Sequence, residues 1–215
     1  MDVRFCDETA FGFGWIADEP ALLERASHAL RVDGRVWLVD PVGGEGVEER
    51  VRALGEPAGV VQLLDRHERD CGSLAERLGV ALHRLPFGGV AGSPFEILRV
   101  RDGRRWQEAA LWWPTERVLV CADALGTARY YRAPGERLAV HPLLRPAPPR
   151  ALRDLTRNLA PGHVLCGHGE GIHGDEAALA LAEAVSTARR RIPRYLIGLP
   201  RGRRERRPET RQSIP

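Results

Sequence analysis

The chain of 215 residues contains no lysine, and all 32 of its basic residues are arginine. This absence excludes a lysine Schiff base, a lysine nucleophile and the phosphate-binding lysine of P-loop and kinase sites. Arginine stays protonated at any accessible pH, so none of the 32 can stand in as a general base. Asparagine occurs once, at Asn158, a bias of the kind a GC-rich coding sequence produces. The four cysteines, Cys6, Cys71, Cys121 and Cys166, form no C-x-x-C pair. That spacing points away from a redox motif and toward reduced thiols in a cytoplasmic protein. No apolar run approaches the roughly 20 residues a membrane helix needs. The first eight residues are acidic and lack a secretory h-region.

The charge that is present is unevenly placed. The formal net charge is +3, yet from Arg189 to Pro215 ten arginines face two glutamates, a local charge of +8. The preceding 188 residues hold 22 arginines against 27 acids, or −5. The chain therefore reads as a mildly acidic body with a basic tail, and its pI is no sign of nucleic-acid binding by the body. Length and a 43% hydrophobic content suit one domain. We place that domain at residues 1–191 and an Arg/Pro-rich tail at 192–215. From about Arg201 arginine and proline replace apolar periodicity, so the tail is expected to be disordered, with at most a weak contact to nucleic-acid phosphates.

Two Asp-Gly pairs between strand-like runs, Asp33-Gly34 and Asp102-Gly103, predict antiparallel hairpins, because Asp-Gly supplies the positive φ angles of a type I′ turn. Strand–helix alternation follows. Val47, Val51 and Leu54 predict a helix stopped by Gly55, and Val60–Leu64 predicts a buried strand. Ser73-x-x-Glu76 has capping-box spacing for a short helix ended by Gly79. Arg117–Cys121 and His163–Cys166 predict strands, while Pro149 and Asp175 open helices. Hairpins mixed with strand–helix units predict a layered α/β domain.

Polar residues collect where the apolar strands end. Trp37-Leu38-Val39 runs into Asp40, and Val60–Leu64 into Asp65-Arg66-His67-Glu68-Arg69-Asp70. Val118–Cys121 is followed by Asp123, and His163–Cys166 by Gly167-His168-Gly169. Ligands of α/β sheets gather at the carboxyl ends of strands, and carboxylates and imidazoles are the donors that zinc, manganese and iron take. The alternative for each aspartate is a helix cap or an Asx-turn, and for His168 a turn residue. His163 and His173 flank the same turn without the glycine setting. Trp106, Trp112 and Trp113 line either a pocket or the core.

The ordered set of strand ends, from about Ala26 to Ala188, resembles the metallo-β-lactamase fold superfamily. Asp40-Pro41-Val42 stands where the family has Asp-Thr-Gly. Asp65-x-His67-x-Arg69-Asp70 aligns with its His-x-His-x-Asp-His. The strand leading to Asp123 is similar to the one delivering the bridging aspartate, and Gly167-His168-Gly169 to its closing Gly-His-Gly. The resemblance implies a four-layer αββα sandwich with a site at one sheet edge. It also implies a metal-dependent hydrolase, with His67, Asp123 and His168 as ligands in type and place and Asp65 and Asp70 as ligand-capable replacements. Either aspartate, if not ligated, is expected to hold the attacking water or take its proton. The set fits one zinc, manganese or iron ion rather than two.

The departures supply a second expectation. Arg69 occupies the position of a metal-binding carboxylate, and a guanidinium there can replace the ion by pairing with Asp123, Asp65 or Asp70. The site then holds no metal and serves as a binding module for a small molecule or a protein. The direction of Arg69 separates the two readings.

Overall fold

The computed structural model describes residues 1–18 and 23–198. The basic segment from Arg201, and every expectation attached to it, lies outside the described residues.

Strands β1 (Val3–Thr9), β2 (Gly12–Ala17), β3 (Ala26–Val32), β4 (Arg35–Val39), β5 (Glu56–Gln62) and β6 (Ala81–Arg84) form a six-stranded sheet in that order. The first four are antiparallel, and β4, β5 and β6 run parallel. Helix α1 (Val47–Leu54) crosses from β4 to β5, and α2 (Cys71–Leu78) from β5 to β6. A second sheet contains β7 (Glu96–Gly103), β8 (Trp106–Trp113) and β9 (Val118–Cys121). The short pair β10 (Leu125–Gly126) and β11 (Ala139–Val140) stands apart. Strands β12 (His163–Cys166) and β13 (Ile172–His173) complete the second sheet, whose order is β13-β12-β9-β8-β7. Helices α3 (Arg150–Asn158), α4 (Glu176–Thr187) and α5 (Ile192–Gly198) complete the elements.

Strand alternation sorts side chains to opposite faces, and the layers follow. Val36, Leu38 and Val60 pack with Val47, Val51 and Ala75 of α1 and α2. The intervening Trp37, Val39 and Val61 join Leu111, Leu119 and Val120 of the second sheet, which in turn packs on Leu152 of α3 and on Leu181 and Val185 of α4. The result is helix, sheet, sheet, helix, the αββα sandwich expected from the strand ends.

The β3–β4 hairpin turns on Asp33 and Gly34, both at positive φ (49° and 79°), as the sequence predicts. The second hairpin forms, but its turn lies two residues later. Gly103 pairs with Trp106, so Arg104-Arg105 makes the turn, and a register shift between Arg99 and Arg101 carries β7 through the Asp-Gly pair. Helix α2 starts at Cys71 with Asp70 at the cap position, which puts Ser73 inside the first turn. The Ser73 hydroxyl donates to the Asp70 carbonyl instead of opening a capping box. Strands β1 and β2 have no counterpart in the sequence reading, because glycines interrupt the apolar run and no Asp-Gly marks their turn. Past residue 191, α5 returns to the body and buries Tyr195 beneath the Arg145 guanidinium, 5.0 Å from its ring centroid.

Because β4 and β5 are parallel, and β9 and β12 are parallel, their carboxyl ends meet at one edge of the sandwich. The two sheets are tied there by isolated bridges Arg25–His168 and Leu64–Glu108 and by the Ala26 N–H donating to the Gly167 carbonyl at 2.9 Å.

Candidate metal centre

Asp40 ends β4 with φ at 44°, a left-handed conformation unusual for a residue with a side chain. This turn points its carboxylate along the edge. Oδ1 accepts the Leu63 N–H at 2.8 Å, and Oδ2 lies 2.8 Å from Nδ1 of His67. A carboxylate only accepts, so His67 carries its proton on Nδ1 and presents Nε2 to the interior of the site. His168 is arranged alike. Its Nδ1 is 2.7 Å from the Leu23 carbonyl, again an acceptor, which leaves Nε2 as the inward atom.

The two inward nitrogens meet a third group. Oδ1 of Asp123 lies 3.0 Å from Nε2 of His67 and 3.0 Å from Nε2 of His168, and all three residues are buried. Neither contact has the alignment of a hydrogen bond, so Oδ1 is a buried acceptor without a donor. Among the described residues, this is the one group of three or more His, Cys, Asp or Glu whose donor atoms all lie within 4.8 Å of one another. Burial raises the Asp123 carboxyl, but the two imidazoles, when they carry a proton on Nε2, outweigh it and hold it well below the usual carboxylate range. Burial and the Arg69 charge disfavour protonated His67, yet Asp40 and Asp123 prevail and its pKa is raised. Three acceptor atoms facing one another in a dry site require a positive centre, either a proton or a metal ion. The donor types, their separation and the anchored Nδ1 atoms fit a divalent ion, with Asp40 and the Leu23 carbonyl orienting the rings from behind.

Both glycines around His168 are needed. A Cβ at Gly167 would meet the Ala122 carbonyl oxygen at 2.9 Å and Cε1 of His67 at 2.9 Å. Gly169 has φ at 86° and approaches the Ala128 nitrogen too closely for any side chain. Tyr131 stacks on the His168 ring at 5.6 Å with a 28° interplanar angle.

Arg69 neither pairs with a carboxylate nor turns outward. Its φ is 40°, and this strained backbone sends the guanidinium under the cluster. Nη1 donates to the carbonyls of Ala26 (2.5 Å) and Asp40 (2.8 Å), and Nη2 to the carbonyl of Gly167 (2.8 Å). Nη2 is also 3.3 Å from Nε2 of His67. The arginine thus laces β3, β4 and the Gly-His-Gly turn together and places a fixed cation beside one candidate ligand.

The remaining expected residues stand apart from the cluster. Oδ2 of Asp65 accepts the Gln107 N–H at 3.0 Å, while its Oδ1 has no hydrogen bond. Oδ2 of Asp70 accepts the Gly43 N–H at 2.7 Å, securing the loop after β4. Three residues that the motifs did not single out also shape the site. Glu108 is buried behind Asp123 and accepts from Nε1 of Trp106 and the Ala124 N–H, both at 2.8 Å, and burial pushes its pKa up to about 7. His141 is held edge-on by Trp106 and Tyr131, and burial lowers its pKa to about 4, so it is neutral. Arg66 lies over the Trp106 ring. A strand-internal glutamate two residues from Trp106 was the available signal for Glu108. His141 and Arg66 carried none. Of the three tryptophans, Trp106 lines the cavity beside the cluster, while Trp112 and Trp113 belong to the core.

The chain's fold is shared with solved metallo-β-lactamases. DIM-1 metallo-β-lactamase superposes with a TM-score of 0.62 at 14% identity, covering 87% of this chain and 97% of that one. The metallo-β-lactamase from Pontibacter korlensis gives 0.60 at 11% identity, covering 87% and 99%. FIM-1 from Pseudomonas aeruginosa, in its mono-zinc form, gives 0.58 at 11% identity, covering 88% and 97%. No protein-family model and no curated protein matches the chain.

Proposed function

With the metallo-β-lactamase fold as the premise, we propose that this chain is a metal-dependent hydrolase with one ion, held by His67, Asp123 and His168, and with Arg69 in the place of a second. The observation that carries this reading is the buried Oδ1 of Asp123, without a donor and facing two imidazole nitrogens whose partner nitrogens are both anchored. Zinc, manganese and iron all accept this donor set. An ion bound there acidifies water and polarises a substrate oxygen. The chain's own residues do the rest. Asp40 holds His67 in the ligating tautomer, and the Leu23 carbonyl does the same for His168. Asp65 keeps Oδ1 without a hydrogen bond and is the carboxylate we assign to receive a proton. Asp70 has a positioning role through Gly43. No helix among the described residues is long and apolar enough to cross a membrane.

One observation favours a second reading, a metal-free binding module. The Nη2 atom of Arg69, 3.3 Å from Nε2 of His67, supplies positive charge at the place where the ion's ligand points. Elemental analysis of protein purified without chelator separates the two. The hydrolase reading expects about one ion per chain in the wild type and almost none in His168→Ala. A metal-free wild type that also refuses zinc, manganese and iron leaves the binding module.

A further inference from the structure

A cavity of about 580 Å³ opens on the cluster, and Asp123 and His168 form part of its wall. Most of the rest is apolar or aromatic, including Trp106, Tyr130, Tyr131 and Leu143, and Leu143 is 75% exposed. One residue of the wall is cationic at neutral pH. The Arg66 guanidinium lies over the Trp106 ring, 4.5 Å from its centroid, and the Trp106 ring is itself fixed by its bond to Glu108. Nε of Arg66 is 3.7 Å from Oδ1 of Asp65 and 3.9 Å from Oδ2 of Asp123. Both separations exceed hydrogen-bond length, so the two carboxylates steer the guanidinium without using its N–H groups.

Arg145 shows what a carboxylate-paired arginine looks like in this chain. It is 1% exposed, and its terminal nitrogens donate to both oxygens of Glu136 and to the Tyr131 carbonyl. Arg66 forms no hydrogen bond with any described residue and is half exposed in the cavity wall. A planar fork with free donors, stacked on an indole at the edge of an apolar cavity, is matched by a single carboxylate on an apolar body. A phosphate dianion fits less well, since Asp65 and Asp123 would oppose its second charge.

Building on the hydrolase reading, we infer that Arg66 is the specificity-determining residue of the site, holding the carboxylate of a substrate whose apolar part lies against Trp106, Tyr130 and Leu143. Calorimetric titration of the full chain, before and after chelator treatment, can compare 4-phenylbutyrate with its neutral isostere 4-phenylbutyramide. The expected result is acid binding about 10-fold or more tighter than amide binding in the wild type. Arg66→Gln should abolish that preference without weakening the amide, and Arg66→Lys should keep part of it, because an ammonium is a point charge rather than a fork. Equal binding of acid and amide, or no acid binding at millimolar concentration, overturns the inference. A preference that survives Arg66→Gln also overturns it, and loss of that surviving preference on chelation would assign it to the ion. Metal content of the same samples keeps the two readings apart. An Arg66-dependent preference in a protein that takes up no metal removes the hydrolase reading alone, and metal uptake without the preference removes this inference alone.

Discussion

Among the described residues, a partly buried histidine–carboxylate group around Asp7 and a buried one around Asp123 are built in opposite ways. Around Asp7, both carboxylate oxygens find donors. Oδ1 of Asp7 accepts the Gly171 N–H at 2.9 Å and lies 3.0 Å from Nε2 of His173, and Oδ2 receives the Cys6 thiol. The other His173 nitrogen is 2.8 Å from Nδ1 of His163, a distance at which one hydrogen is shared between the rings. His28, pushed down by burial and therefore neutral, donates from Nε2 to the Cys166 carbonyl. Around Asp123 the same residue types are anchored at their outer nitrogens, and three acceptor atoms are left facing inward. The first group leaves a single buried ring atom, Nδ1 of His28, without a hydrogen bond, and that atom lies 4.0 Å from Oδ2 of Asp7. The second lacks one positive centre, and this difference, not the count of histidines, marks a candidate metal site.

The largest effect expected from breaking this contrast is on Arg69. Arg69→Gln leaves the carbonyls of Ala26, Asp40 and Gly167 without their shared charged donor, and chemical denaturation should show a loss of about 3–5 kcal/mol from these three hydrogen bonds. A loss below about 1 kcal/mol would mean that the arginine is not what ties the edge together. Asp40→Asn tests the anchored tautomer, and zinc affinity measured by competition with a chromophoric chelator should fall about 10–100-fold. An unchanged affinity would leave Asp40 a purely structural residue. A substitution at His173 sharpens the comparison from the other side. His173→Ala should cost about 1–3 kcal/mol by removing a donor from Asp7, while leaving zinc uptake unchanged.

The smallest effect is the pH dependence of the metal-free protein. His67 has a raised pKa in the folded state, so its contribution to stability is present below the unfolded value near 6.5 and is lost as pH rises through the folded value. Metal competes with the same proton, so zinc uptake should weaken as the pH falls through that range. Melting temperatures of metal-free and zinc-treated protein across pH 5–9 should therefore diverge most at the alkaline end. Parallel curves would show that no ion takes the proton's place.

Much of this site was legible in the strand ends. His67, Asp123 and His168 come within three residues of the ends of apolar runs, and Gly-His-Gly marks a turn where backbone approaches backbone. Asp65 and Asp70 follow the same rule in sequence but face elsewhere. Asp65 turns to the Gln107 N–H of the second sheet, and Asp70 reaches back to Gly43. Spacing within a loop sets neither direction. Glu108 had only Trp106, two residues away on β8, to mark it in sequence, because its other partner, the Ala124 N–H, reaches it only when β8 and the loop after β9 come together.

By itself, the sequence determined the layered α/β architecture, the Asp33-Gly34 turn, the order in which polar residues leave the strands and the exclusion of all lysine chemistry. These depend on local periodicity and residue type, which neighbouring chain segments carry. Only the tertiary structure decided where the Arg69 guanidinium goes, which imidazole nitrogens face inward and that Arg66 forms no hydrogen bond with a described residue. Each depends on hydrogen bonds between segments distant in sequence, such as the Gly167 carbonyl that receives Arg69 and the Leu23 carbonyl that fixes His168. A side chain's identity limits what it can bond, and its direction is set by whichever partner the fold brings within reach.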